Sequence, residues 1–482
     1  MTSPSPVRFI ANFVRDVAHA LARAASRLIS TPVPKCRPGT PGASANEFDS
    51  VRPTTLVDPA STRSLSQNVL ALYGVQAGRK LIPLISIPYL ARVLGPGGWG
   101  TVAFIAAMAE LLVICIEFGF NISATREVAR NRHNPDACGK VMAGVLGAQA
   151  CLAAAGILLA FLASRFLPVI AQRPELLVAG LVYAVAQGFA PLWFFQGLEQ
   201  MRLSAALELS GKLAALVGLF LFVHGPADDW KVLALTAVAP ALTTAVGLVL
   251  VYRTIPIELP SAKLVRTALA MGAPMFVFRS AESLYGVGNV FLLGLFATPE
   301  IVGYFAAAEK IAKAAFGLLN PIREAIFPRL SHLAARGGEE AAGPLAKLGA
   351  AVMIGGGAAL GAGVFLFAPP ATRLLLGGEF APAVDALRIL ALLPFLLSIT
   401  YSVGFQWLLP FGKDGLINQI ILSAGLLNVA LSFFLTRPFL HIGMAWAVVA
   451  SEAFVAISMV TVVSRTTGSW AAAPIETGEL IG

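Results

Sequence analysis

Residues 92–100, RVLGPGGWG, carry glycines at the spacing G-x-G-x-x-G, at Gly95, Gly97 and Gly100. In a nucleotide-binding unit these glycines let the start of a helix approach a pyrophosphate, provided that a strand precedes the motif. Here apolar runs of helical length flank the motif on both sides. The sequence therefore predicts a tight turn between two helices, and we expect no cofactor.

Basic and amide side chains inside the apolar runs form a second set of residues that could bind a ligand. Each ionisable residue in a membrane helix costs about 2.5–3.5 kcal/mol on insertion scales, so it is expected to face a protein interior or a wet cavity. Arg79 and Arg279 lie near the middle of their runs, and a guanidinium binds phosphate or carboxylate through two parallel hydrogen bonds. The sequence-predicted residues of an anionic substrate site are Asn68, Gln76, Arg79, Lys80, Arg279, Lys310 and Lys313.

Acidic residues share these helix faces and have two interpretations. They either take part in ion coupling or form internal ion pairs that hold helices together, as the spacings of Glu208 with Lys212 and of Arg279 with Glu282 suggest. The coupling or ion-pair candidates are Glu110, Glu117, Glu208, Lys212, Glu282 and Glu309.

The remaining residues do not indicate a metal site or a catalytic site. The four cysteines show no C-x-x-C spacing, and the five histidines are scattered singly along the chain. No G-x-x-x-x-G-K-[ST] motif for nucleotide triphosphates is present. We therefore expect no metal site, no catalytic residues and no ATP-driven step.

The elements that position these residues are transmembrane helices. The chain is 57% hydrophobic and 13% charged, whereas a soluble domain carries about a quarter charged residues. Apolar runs long enough to cross a bilayer recur from residue 65, which predicts about twelve spans in an all-α polytopic membrane protein. Lys and Arg concentrate in alternate loops, which predicts that both termini are cytoplasmic. The net charge of +9 follows from this topology, so nucleic acid is not an expected partner.

The chain also repeats itself. Aligning its second half on its first places Pro96 on Pro299 and Gly100 on Gly303. Because an even number of spans separates the copies, we expect two six-helix bundles related by a pseudo-two-fold axis along the membrane normal, with substrate bound between them. The predicted units are a cytoplasmic tail with a basic amphipathic helix and a disordered linker (1–64), the first bundle (65–252), a cytoplasmic linker (253–266), the second bundle (267–465) and a cytoplasmic tail (466–482).

Four segments carry a family resemblance over roughly residues 64–465. They read YLARVLGPGGWGTVAF, EFGFNISATREVAR, PLWFFQGLEQM and VGYFAAAEKIAKAAFGLLNPIREAIFPRLS. Together they resemble the bacterial polysaccharide transporter family, the O-antigen-type flippases, within the larger group that includes multidrug and toxin extrusion proteins.

The resemblance implies a function and a set of partners. The expected substrate is an undecaprenyl diphosphate that carries an oligosaccharide, moved through the bilayer of the bacterial inner membrane for polymerisation into a surface polysaccharide. A polysaccharide polymerase and co-polymerase are possible partners on this interpretation. Two alternatives stay open: an ion-coupled antiporter of drugs or metabolites, and an integral glycosyltransferase or ligase that acts on the same lipid.

Overall fold

The computed structural model describes residues 59–166, 171 and 173–466, and the secondary structure of this part of the chain is helical throughout. The amphipathic helix predicted in the 1–64 tail and most of the 466–482 tail lie outside the described residues. The all-α expectation is confirmed for the part that is described.

Seven α-helices lie in the described part of the N-terminal half, several with the start signals expected from their sequence. The Asn134 side chain accepts a hydrogen bond from the Ala137 backbone N–H at 3.0 Å and so caps the third helix, which opens on Pro135. The helices described are α1 (Pro59–Glu117), α2 (Phe120–Arg130), α3 (Pro135–Ser164), α4 (Pro174–Gly188), α5 (Leu192–Gly197), α6 (Met201–Phe222) and α7 (Asp229–Tyr252).

The C-terminal half contains eight more α-helices and a π-helical segment in its described residues. Ser261 caps the first of them by accepting a hydrogen bond from the Leu264 backbone N–H at 3.3 Å. They are α8 (Ala262–Gly286), α9 (Gly288–Gly294), α10 (Pro299–Gly317), α11 (Asn320–Leu366), α12 (Ala368–Leu375), α13 (Ala383–Leu390), α14 (Leu393–Thr400), the π segment (Tyr401–Leu408) and α15 (Asp414–Thr466).

Three of the longest helices contain an internal break with non-helical backbone, at Gly95 in α1, Gly338 in α11 and Leu440 in α15. At two of the breaks the chain doubles back. The Ser432 hydroxyl lies 3.4 Å from Met444 Sδ, although twelve residues of straight helix would separate them by about 18 Å. Around Gly338, a Cβ built on Gly349 would lie 3.2 Å from the Ile326 side chain. These two helices are therefore hairpins of antiparallel helices.

Seven helical segments within the described residues are long and apolar enough to cross a membrane. The largest, Gly415–Arg465, holds 51 residues, or roughly 77 Å of helix, more than twice the hydrocarbon thickness of about 30 Å. The others are Ile85–Arg130, Pro135–Ser164, Pro174–Gly197, Pro226–Tyr252, Glu340–Leu366 and Ala383–Leu408.

The main hydrophobic core lies where α1 of the first half packs against α10 of the second. Phe104 and Phe305 are both fully buried there, and the Phe104 ring stacks on Phe291 with centroids 5.5 Å apart. This core joins the two halves of the chain, so residues that project from α1 and α10 lie at their interface.

Candidate functional site

The predicted turn in RVLGPGGWG proves to be a contact between the two halves. Gly95 takes left-handed backbone, φ +66°, and the chain is helical again from Pro96. A Cβ on Gly100 would overlap the Pro299 carbonyl, and a Cβ on Gly303 would overlap the Pro96 carbonyl. The positions that align in the internal repeat therefore contact each other reciprocally, and only glycine permits this approach at both of them.

A second close contact joins the halves nineteen residues further along. Phe118 and Gly119 have positive φ values, +42° and +75°, and end α1. A Cβ on Gly119 would lie 2.6 Å from Met275 Cβ, and one on Gly272 would lie 2.5 Å from the Phe118 carbonyl oxygen. Nineteen residues of helix span roughly 28 Å, so the Gly100–Gly303 and Gly119–Gly272 contacts are separated by about the thickness of a bilayer's hydrocarbon.

Ionisable side chains from three helices occupy the space between these contacts. Glu110 lies about midway between Gly100 and Gly119 on α1, and the charges of Arg279 and Lys310 act on Glu117 and Glu110 respectively. We call the set the interface cluster; its described members are Glu110, Glu117, Arg279, Glu309, Lys310 and Lys313.

Glu309 is the most deeply buried member of the interface cluster, with 4% of its surface exposed. Its carboxylate accepts hydrogen bonds from Lys313 Nζ at 2.9 Å and from Asn289 Nδ2 at 3.3 Å. Lys313 Nζ also donates to the Gly286 carbonyl at 3.0 Å and keeps 44% of its side chain exposed. The pair thus holds a buried anion while presenting a cation to solvent-accessible space.

Lys310 presents a second cation. Its side chain is exposed, and its ammonium lies 4.9 Å from the centroid of the Trp99 ring, a cation–π contact that orients it beside the Gly100–Gly303 contact. Arg279 is partly buried on α8, and its positive charge acts on the Glu117 carboxyl group. Three basic and three acidic groups therefore meet at the interface in the described part of the cluster.

Tyr183 of α4 belongs to the same network, although it was not among the sequence-predicted residues. Its hydroxyl donates a hydrogen bond to Glu110 Oε1. A neutral phenol within the apolar run LVYAVAQG gives no charge signal, so the sequence alone does not single it out.

Glu208 and Lys212 lie elsewhere, in a cavity of about 240 Å³ within the N-terminal half. They form an ion pair with Lys212 Nζ 2.7 Å from Glu208 Oε1, and Tyr183 lines the same cavity. A second cavity of about 190 Å³ between α2 and α8 is lined by Arg126 and Arg130.

Several predicted site residues fall where their side chains are outside the described part of the structure. For these residues only the helical backbone, in α1 and α8, is described: Asn68, Gln76, Arg79, Lys80 and Glu282. Within the described residues, no group of three or more His, Cys, Asp or Glu side chains is arranged to hold a metal ion.

In its described residues the chain is helical, with apolar helices of bilayer length and ionisable groups where its N- and C-terminal halves meet. These features define a membrane transporter by class. A family model described as "Polysaccharide biosynthesis protein" matches residues 65–334. A "Putative O-antigen transporter" of Escherichia coli (strain K12) is 31% identical over 401 residues, 81% of this chain and 95% of that protein. A protein of the same name from Shigella dysenteriae is 27% identical and covers 82% and 98%.

Solved structures show the same fold. "Lipid II flippase MurJ, inward closed conformation" superimposes with a TM-score of 0.66 at 11% identity, over 82% of this chain and 87% of that one. An inward-facing multidrug resistance transporter of the MATE family superimposes with a TM-score of 0.60 at 14% identity, over 80% and 99%. The chain belongs to the polysaccharide biosynthesis protein family, and the matched relatives named here are transporters and flippases rather than enzymes.

Proposed function

We propose that this protein is a flippase that moves an undecaprenyl diphosphate-linked oligosaccharide from the cytoplasmic to the external leaflet of the bacterial inner membrane. Membership of the family and the names of the matched relatives support the substrate class. A protein is needed because each sugar hydroxyl would lose its water partners in hydrocarbon, at several kcal/mol per unpaired group. The flipped lipid would then reach a polymerase and co-polymerase on the external side.

The proposed architecture is twelve spans in two six-helix bundles, residues 65–252 and 267–465, joined by linker 253–266 with both termini in the cytoplasm. The breaks at Gly95, Gly338 and Leu440 support the count, because each divides a helix that is too long for a single crossing. The concentration of Lys and Arg in alternate loops supports the orientation, which puts the Gly100–Gly303 contact on the external side.

Alternating access between the bundles is the proposed mechanism, and the reciprocal Gly100–Gly303 contact is the observation that carries it. The contact joins equivalent positions of the two halves through the backbone beside two glycines. Separating the halves there would open the interface cluster to one side, while separating the Gly119–Gly272 contact would open it to the other. The glycan and diphosphate would pass between the bundles while the isoprenoid tail stays in lipid.

The cations of the interface cluster are the proposed ligands of the diphosphate. Lys310 and Lys313 are exposed within it, and Arg279 lies on the facing helix. Arg79 and Lys80 would add two further cations from α1, with Asn68 and Gln76 as hydrogen-bonding groups. The three acidic members offset the charge of the three described basic members, so a bound anion would displace carboxylates from their cations.

A second candidate function is an ion-coupled antiporter of small molecules. The likeness in fold to a MATE transporter and the equal numbers of acidic and basic groups in the described cluster favour it. Its substrate would lack the isoprenoid tail and would be released into water.

A deletion strain tests the proposal against this alternative. We expect the strain to accumulate lipid-linked oligosaccharide whose glycan is protected from a membrane-impermeant biotinylating reagent in spheroplasts. Restoring the wild-type chain should restore labelling, and Arg279→Ala should not do so at equal abundance. Accumulated glycan that is already accessible outside would contradict a flippase, and normal lipid intermediates would favour the antiporter.

A further inference from the structure

A carboxyl group that the proposed mechanism does not use lies deep in the C-terminal half. Glu452 on α15 is 2% exposed, and its Oε1 accepts a hydrogen bond from the Thr400 hydroxyl at 2.8 Å. Glu452 lies twelve residues, roughly 18 Å, beyond the break at Leu440, which places it well inside the hydrocarbon thickness.

Within the described residues, the hydrogen bond from the neutral Thr400 hydroxyl is the polar contact of Glu452, and no ion pair to its carboxyl group is found. The neighbouring α14 carries no ionisable residue, and on the π segment Tyr401 is stacked beneath the Arg323 guanidinium at 4.4 Å. Other elements packed against α15 carry Arg279, Glu309, Lys310, Lys313, Asp385 and Arg388. Since an unpaired buried carboxylate is very costly, the resting group holds a proton.

Polar side chains on the other arm of the α15 hairpin form a buried row that begins about one helical turn from Glu452. The Ser432–Met444 contact sets the register of the hairpin, so Asn428 lies level with Val448, about one helical turn from Glu452. Asn428, Ser432 and Thr436 follow one another at four-residue spacing, and each is at most 1% exposed. They form a single face that runs from the depth of Glu452 towards the break at Leu440.

This row has unused hydrogen-bonding capacity. Among the residues that the structure describes, neither amide atom of Asn428 has a hydrogen-bond partner, and the Thr436 hydroxyl has none either. Buried polar groups are normally hydrogen-bonded, so unpaired ones in an apolar core indicate a site that binds a water molecule or an ion. Donors at this position are suited to a carboxylate that has released its proton.

The backbone beside Glu452 is also unusual. Thr400, its hydrogen-bond donor, leads directly into the π segment Tyr401–Leu408, where the Leu409 N–H bonds to the Gly404 carbonyl five residues back at 3.0 Å. Such segments are rare and occur frequently at functional sites. A change in the charge of Glu452 would act on this element through Thr400.

We propose that Glu452 binds and releases a proton, and that the row Asn428–Ser432–Thr436 conducts it between the carboxyl group and the end of the bundle at Leu440. On release, the O–H bond breaks heterolytically, the electron pair stays on the carboxylate oxygen, and the proton passes to water within the row. Proton binding by Glu452 does not depend on the proposed function. That the proton gradient drives transport through this site does rest on it.

The test measures proton binding in the full-length protein in lipid nanodiscs, without substrate, by infrared difference spectroscopy during a pH titration. We expect a neutral-carboxyl stretch in the wild type that disappears as the pH rises. It should be absent in Glu452→Gln, which is nearly isosteric, and present in Glu452→Asp. Glu175→Gln, which changes a half-exposed carboxylate on α4, is the matched control and should leave the band unchanged.

A second variant tests the conducting row. Asn428→Leu should keep the band but slow its shift in heavy water on the order of tenfold, since losing one hydrogen-bonding partner costs about 1–3 kcal/mol. A band that survives in Glu452→Gln, or that sodium removes at constant pH, would overturn the proton site. Because no substrate is present, a missing band with intact flipping refutes only this inference, and a titrating band without flipping refutes only the proposed function.

Discussion

The reciprocal glycine contact gives a quantitative expectation for Gly100→Ala. The added methyl group would overlap the Pro299 carbonyl, so the two halves must separate locally. Overpacking of this kind typically costs about 1–3 kcal/mol. If the cost falls only on the state in which the halves touch, the ratio of closed to open protein should drop by roughly 5- to 150-fold.

A disulfide cross-link reports this ratio directly. A Cβ on Gly97 would lie 3.5 Å from Glu300 Cγ, the atom whose place a cysteine Sγ would take, so Gly97→Cys with Glu300→Cys should cross-link only in the closed state. The four native cysteines would first be replaced by serine. Gly100→Ala should slow cross-linking, and Gly303→Ala should do the same because it meets the Pro96 carbonyl.

The coupling between the two substitutions is the sharper part of this expectation. One separation of the halves relieves both overlaps. The double variant should therefore destabilise the closed state by clearly less than the sum of the two single variants. Gly355→Ala is the matched control, because a Cβ on this helical glycine would meet nothing within 4 Å. Unchanged cross-linking in a folded Gly100→Ala protein, or strict additivity, would refute the view that this contact opens as a unit.

Three further expectations concern the interface cluster. Lys313→Ala should destabilise the protein by about 1–3 kcal/mol in thermal unfolding, because it removes the cation that donates a hydrogen bond to the buried Glu309 carboxylate, and adding Glu309→Gln should recover part of the loss. Tyr183→Phe should lower export at unchanged abundance, since it removes the donor to Glu110, and an unaffected variant would separate Tyr183 from the pathway. Arg279→Ala should weaken binding of an isoprenyl diphosphate by roughly ten- to a hundredfold in an equilibrium binding assay, with Arg279→Lys in between, whereas equal affinities would make this arginine a packing residue.

The sequence predicts the transporter class well because its signals are physical and local. Apolar runs of bilayer length predict membrane-spanning helices, because a helix pairs all its backbone polar groups within itself. Ionisable residues within such runs are expected to face the protein interior, because exposing them to lipid is costly. The alignment of Gly100 with Gly303 predicted equivalent positions in two repeats, and the structure adds that these positions touch. Contact between symmetric positions depends on how the halves pack, which sequence spacing does not contain.

Neutral side chains that contact the buried charged groups are not evident from the sequence. Tyr183 and Thr400 donate hydrogen bonds to the carboxyl groups of Glu110 and Glu452 through single hydroxyl groups, and neither departs from the apolar pattern of its run. Glu452 is an ionisable residue in an apolar run, but its significance depends on its burial and on the orphaned Asn428 amide, which only tertiary structure reveals. Conversely, the four-residue spacing of Glu208 and Lys212 allowed an ion pair, and the structure places that pair in a separate cavity.

The most direct test of the central claim is transbilayer movement in proteoliposomes. The purified full-length chain would be reconstituted with an undecaprenyl diphosphate that carries a fluorescent oligosaccharide in both leaflets, and a membrane-impermeant reductant would then quench the outer leaflet. A flippase predicts that quenching proceeds well beyond the outer-leaflet fraction, that Arg279→Ala slows this second phase, and that a fluorescent phospholipid in the same vesicles stays protected. Quenching that stops at the outer-leaflet fraction in vesicles that contain folded wild-type protein, with or without an imposed proton gradient, would contradict a flippase.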